Sequence, residues 1–160
     1  MRLFRAGALF FLFATAAPGA ARADALEAGA RAYAAENFVR AEQLIRPRAE
    51  RGDPRAGTYL GVMYLRGRGV PQAYEIAAFW LRRAADAGEP AAEYFLGLLY
   101  DRGLGVAQSS VIAEAWISLA VAHAPASQRA HWVVIRDAIA AKLSRSDLEA
   151  AQWLAFDRGY

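Results

Sequence analysis

His123 and His131 are the only histidines in the 160 residues, and cysteine is absent. A transition-metal site draws its ligands mainly from those two residue types, commonly as a pair one helical turn apart on a single face. Pro125 breaks the face between the two histidines, and no His-x-x-x-His spacing occurs, so neither a metal nor another cofactor is expected. The serines form no Gly-x-Ser-x-Gly elbow and no Ser-x-x-Lys pair, the arrangements that activate a hydroxyl nucleophile. Ser127 and His131 stand four apart on a prospective helix, where a helix-capping role accounts for the serine. Asp147, Glu149 and Asp157 fall on a terminal helix as solvated charges, and Asp147 suits its first turn. No catalytic residue emerges from these patterns.

Two glycine-rich stretches, LGVMYLRGRGV from Leu60 and LGLLYDRGLGV from Leu96, resemble phosphate-cradling loops. Phosphate loops of that kind follow a β-strand, however, whereas these lie between helical patterns. Shifting the chain by 36 residues superposes Leu60-Gly61 on Leu96-Gly97, Tyr64 on Tyr100, and Gly67, Gly69 and Val70 on Gly103, Gly105 and Val106. The register continues through Gln72/Gln108, Ala77/Ala113, Trp80/Trp116 and Ala84/Ala120. A fixed period of this length marks a stacked helical array. Ala56, Leu60, Met63 and Tyr64 fall on one helical stripe, and Ile76, Ala77, Trp80, Leu81 and Ala84 on a second, so each unit is a helical hairpin. Gly61 and Gly97 let the two helices approach closely, which offsets the roughly 1 kcal/mol that a mid-helix glycine costs. The first glycine of each Gly-x-Gly suits the left-handed residue that ends a helix, the second turns the chain, and the valine anchors the turn. Trp80 and Trp116 could stack on a sugar or base, but their place on the repeated stripe assigns them to the core.

The combination Ala-x-x-x-Leu-Gly-x-x-Tyr-x-x-Gly-x-Gly-Val followed by Ala-x-x-Trp-x-x-x-Ala resembles the Sel1-like repeat family, relatives of the tetratricopeptide repeat with a longer loop between the helices. The resemblance spans Asp53 to about His123. It implies an all-α fold, a right-handed α-solenoid of helix–turn–helix repeats, and here about eight helices. Residues 53–88 and 89–124 make the two full repeats. Residues 24–52 form a degenerate, tetratricopeptide-length hairpin whose Ala41, Leu44, Ala49 and Gly52 register with Ala77, Trp80, Ala85 and Gly88, and Pro47 is expected to kink its second helix. Residues 125–160 form a capping helical pair, with Ser146 and Glu149 spaced as a capping box. The family usually places an acid before the second helix of each unit. Ala73 stands there in the first copy and Ser109 in the second, so only the second has a capping side chain.

The resemblance also implies a function: a non-catalytic scaffold that binds a protein or peptide on the concave face lined by the first helix of each unit. By the family pattern, the outward positions are Arg55, Thr58, Val62 and Leu65 in one copy and Ala91, Tyr94, Leu98 and Asp101 in the next. The alternative is binding or weak hydrolysis of a β-lactam or peptidoglycan fragment. Such β-lactam associations belong to a branch whose hairpins are closed by disulfides, and this chain has no cysteine.

Arg2 and Arg5 precede an apolar run from Ala6 to Ala17, followed by Pro18, Gly19 and Ala21-Arg22-Ala23. That is the layout of a secretory signal peptide cleaved after Ala23, and the run is short for a membrane span of about 20 residues. No stable membrane insertion is expected after cleavage. The segment holds three of the nineteen basic residues and none of the sixteen acidic ones, so the remainder balances to zero. A balanced surface gives no support to nucleic-acid binding, which needs a clustered basic face. Arginine outnumbers lysine overwhelmingly, Lys142 being the single lysine. Such a bias suits a GC-rich bacterial genome, and with the signal segment it places the mature chain in a periplasm or outside the cell.

Overall fold

The structure, a computed structural model, describes residues 18–159, and every regular element among them is a helix. These are α1 (Pro18–Ala34), α2 (Phe38–Glu50), α3 (Pro54–Arg66), α4 (Tyr74–Ala85), α5 (Pro90–Arg102), α6 (Ser110–His123), α7 (Ala126–Ala140) and α8 (Arg145–Gly159). The all-helical expectation and its eight helices are thus observed. The expected signal segment lies largely outside the described residues, and its cleavage point after Ala23 falls within α1. Among the described residues no helix is long and apolar enough to cross a membrane.

Helices α1/α2, α3/α4 and α5/α6 pack as hairpins, and α2 against α3 and α4 against α5 join one hairpin to the next. The core follows that stacking. Leu26, Ala41, Ile45, Leu60, Met63 and Trp80 form one buried cluster across the first two hairpins, and Leu81, Leu96, Leu99, Trp116, Ile117 and Ile139 continue it. Each unit therefore covers an apolar face that its neighbour would otherwise expose, as a solenoid requires. At Gly61 an added Cβ would stand 2.6 Å from Leu81 Cγ, and at Gly97 2.6 Å from Ile117 Cγ1, which is the close packing expected of them. Gly29 holds the same place against Ile45, at 2.7 Å, so the first hairpin keeps the repeat's packing while lacking the Gly-x-Gly loop.

The joint between helices is identical in both full repeats. Gly67 and Gly103 end α3 and α5 at φ 65° and 68°. The Arg68 and Leu104 amides return to the Met63 and Leu99 carbonyls at 2.9 and 3.0 Å. Gln72 and Gln108 donate side-chain N–H bonds to the Leu65 and Asp101 carbonyls at 2.9 and 2.8 Å. A second device repeats between units. Arg46 Nη2 on α2 donates to the Tyr64 hydroxyl on α3 at 3.0 Å, and Arg82 on α4 donates to the Tyr100 hydroxyl on α5.

Capping follows the local sequence. Asp53 Oδ1 accepts from the Ala56 amide at 3.1 Å, Ser109 Oγ accepts from Ile112 at 3.3 Å, and Ala73 makes no side-chain cap. Helix α2 runs through Pro47 to Glu50. At α8 the cap differs from expectation: Ser144, not Ser146, accepts the Asp147 amide at 3.2 Å and donates to the Asp147 carboxylate at 2.7 Å. The helix starts at Arg145, which puts Ser146 inside the first turn. Helices α7 and α8 each pack mainly on α6.

Candidate binding groove

Side chains from α1, α3 and α5 enclose a 370 Å³ cavity whose walls include Tyr33, Tyr59, Val62, Phe95, Arg55 and Glu89. A second cavity of 300 Å³ shares Arg66 and Phe95 with the first and is floored by Leu65, Leu98, Leu99 and Leu104, with Arg102 beside them. Together they make one groove along the first helices of the two full repeats. The aromatic wall is built in sequence order: Tyr33 meets Tyr59 edge to face, with ring centroids 5.9 Å apart. Such edge-to-face pairs add about 0.5–1.5 kcal/mol beyond the area they bury.

The expected strip divides on this surface. Arg55, Thr58, Val62 and Ala91 line the first cavity, and Leu65 and Leu98 line the second. Thr58 and Val62 are more enclosed than outward positions would be, at 8% and 7% exposure, and the Thr58 hydroxyl donates to the Pro54 carbonyl at 2.9 Å. They contribute the cavity wall, not a projecting contact. Tyr94 and Asp101 line neither cavity. The Tyr94 ring stacks on Trp132 of α7 at 5.0 Å, its hydroxyl lies 3.3 Å from His131 Nε2, and Lys142 Nζ sits 2.7 Å from the Asp101 carboxylate. The segment that includes α7 therefore occupies that end of the strip.

Sequence reasoning passed over Tyr33, Tyr59, Phe95, Arg66 and Arg102. A signal existed for four of them: Tyr59 and Phe95, and Arg66 and Arg102, are separated by the same 36 residues as the structural positions.

Two further recesses carry charged side chains, the first of them adjoining the groove at Arg55 and Glu89. One, of 550 Å³, opens at the α2–α3 turn beside Arg48, Arg51, Asp53, Arg55 and Glu89. Burial raises the Asp53 carboxyl, but hydrogen bonds from Arg48, 2.7 Å away, and from the Ala56 amide more than offset it, leaving Asp53 below its ordinary range. Burial holds Glu89 above its ordinary range, partly opposed by Arg55. The other recess, of 210 Å³, contains Asp86, Glu93, Trp116, His123 and Arg158. Glu93 is only 2% exposed, and both its oxygens lie 3.1 Å from His123 Nδ1. Among the described residues no group of three or more His, Cys, Asp or Glu side chains could hold a metal ion.

Burial raises the Glu93 carboxyl, and the His123 hydrogen bond opposes that shift. At pH values between the unfolded glutamate's, about 4.3, and its raised folded one, the folded chain keeps a proton that the unfolded chain has released. Stability contributed at this position thus falls as pH rises from below the ordinary glutamate range through the raised folded value, and is level above it. Urea unfolding of wild type and Glu93→Gln across that interval should show the variant gaining relative stability with pH. A difference between them that stays constant, or reverses, removes this assignment.

Two Sel1 repeat matches cover residues 54–89 and 90–123, each beginning one residue after the boundary expected from the sequence. No curated protein matches the chain. Among solved structures, a protective antigen of uropathogenic Escherichia coli strains that displays an SLR fold is similar over 86% of this chain, with TM-score 0.79 and 29% identity. A Sel1 repeat protein from Oxalobacter formigenes is similar over 61% of the chain, with TM-score 0.58 and 31% identity. The chain spans 29% and 39% of the lengths of those two proteins. Pairing of helices, a Gly-x-Gly joint at a period of 36 and the likeness to both structures lead to one conclusion: the chain carries two Sel1 repeats within an α-solenoid.

Proposed function

We propose that the chain is a non-catalytic scaffold that binds an extended protein segment or peptide in the groove along α3 and α5. The observation that carries this reading is the pair of adjoining cavities with an aromatic and leucine floor, Tyr59, Phe95, Leu65 and Leu98, open along successive repeats. An apolar trough with charged edges suits a few anchoring side chains of an extended segment. Repeated packing contacts already engage the shared Gly, Tyr and Trp positions, so recognition falls to the groove side chains. The reading includes export, with residues 1–23 as a cleaved signal and the mature chain working in the periplasm.

A photo-crosslinking side chain at Leu98 is expected to capture discrete partners from the periplasmic fraction, on a chain that begins at Asp24. The same group at Phe79, exposed on α4, should capture none of them. Capture of the same partners from both positions would remove the groove as the binding face, and recovery only of chains retaining residues 1–23 would remove the export reading.

A further inference from the structure

Arg66 and Arg102 occupy one position in successive repeats, the last turns of α3 and α5, and both border the 300 Å³ cavity. Both are exposed, and neither makes an ion pair among the described residues. The acids nearby are otherwise committed. Glu27 lies 3.6 Å from Arg55, Asp101 is held by Lys142, and the cation acting on Glu89 is Arg55. A cation in the last turn favours a helix C-terminus by about 0.3–1 kcal/mol, which accounts for each charge singly. It does not account for the apolar floor of Leu65, Phe95, Leu98 and Leu104 set beside both.

Resting on the groove reading above, we infer that this part of the groove takes an acidic extended segment, with one carboxylate at Arg66, one at Arg102 and an apolar side chain between them. Guanidinium groups bind carboxylates by paired hydrogen bonds, which fixes orientation as well as charge. Both guanidiniums border one cavity, and three residues of extended chain reach about 10 Å. The carboxylates are therefore set roughly three residues apart in the partner, each meeting a guanidinium that no acid among the described residues pairs.

The test uses a fluorescein-labelled peptide, Gly-Ser-Asp-Leu-Phe-Asp-Ser-Gly, and its counterpart with both aspartates replaced by asparagine, titrated with the mature chain and followed by polarisation. The aspartate peptide should bind about tenfold more tightly, and the gap should narrow as added salt shortens the screening length. Arg66→Gln with Arg102→Gln should bring the aspartate peptide to the level of the asparagine one and leave the latter unchanged. Leu98→Glu should abolish binding of both. Equal binding of the two peptides, no saturable binding of the aspartate peptide, or an indifferent arginine double variant overturns the inference. If both peptides bind equally and both are lost in Leu98→Glu, the acidic preference falls while the groove stands. If binding survives Leu98→Glu, the groove itself falls.

Discussion

Gly105→Ala should lower the free energy of unfolding by about 3 kcal/mol, while Gly88→Ala should lower it by only about 1–2 kcal/mol. Both glycines have positive φ, +68° at Gly105 and +77° at Gly88, so alanine meets the left-handed penalty at each. They differ in what surrounds them. Around Gly88 no atom lies within 4 Å of an added Cβ, whereas at Gly105 that atom would press into the Tyr74 carbonyl and stand 2.6 Å from the Glu75 nitrogen. Tyr74 is the first residue of α4 in the preceding repeat, so the obstacle is backbone that cannot rotate away. Gly69 meets α2 in the same manner, with the Phe38 carbonyl oxygen 2.5 Å from the added atom. The second glycine of each loop thus sets the spacing between repeats, in addition to turning the chain. Urea titrations of the two variants beside wild type measure the difference. Equal losses at Gly88 and Gly105 would show that the loop yields freely and that the close approach is unimportant.

The architecture was legible because the repeat writes each structural requirement twice. Gly61 with Gly97, Trp80 with Trp116 and Gly67 with Gly103 exclude coincidence, and their local physics points to one arrangement. Arg46 and Arg82, donating to Tyr64 and Tyr100, obey the same offset and were open to the same inference. The groove was less legible because facing depends on neighbours as well as on the helix. Thr58 and Val62 lie on the expected strip, yet flanking helices enclose them. Tyr94 and Asp101 are engaged by residues in and after α7, whose placement on α6 follows from no repeated pattern. Glu93 takes the place of Gly57 in the preceding copy, so no duplicate announced a buried acid; its imidazole partner lies 30 residues further on. Helix α8 is similarly opaque. Ala151 is buried while Trp153 and Phe156 are exposed, a distribution that yields no single apolar stripe.

Trp116 offers the strongest test of how that last helix is held. It is 2% exposed, and the Arg158 guanidinium of α8 lies 4.8 Å from its ring. In the preceding repeat, Arg83 of the same helix lies 5.3 Å from Trp80; Leu119 stands at the position of Arg83, and α8 supplies the cation instead. Trp116→Ala removes a large core side chain together with that contact and should cost about 3–5 kcal/mol. Trp116→Phe should cost far less, about 1 kcal/mol, because the indole Nε1 is buried without a hydrogen-bond partner and phenylalanine removes that unsatisfied donor as well as volume. Since α8 packs on α6, the alanine variant should also be cut faster by trypsin at Lys142 and Arg145, exposed in the wild type too, under conditions in which α3 and α5 remain protected. Unfolding by urea and limited proteolysis read the two effects separately. A phenylalanine variant as damaged as the alanine one would mean that the indole nitrogen has a partner in solution. Unchanged cleavage at Lys142 and Arg145 would mean that α8 is held by contacts other than Trp116.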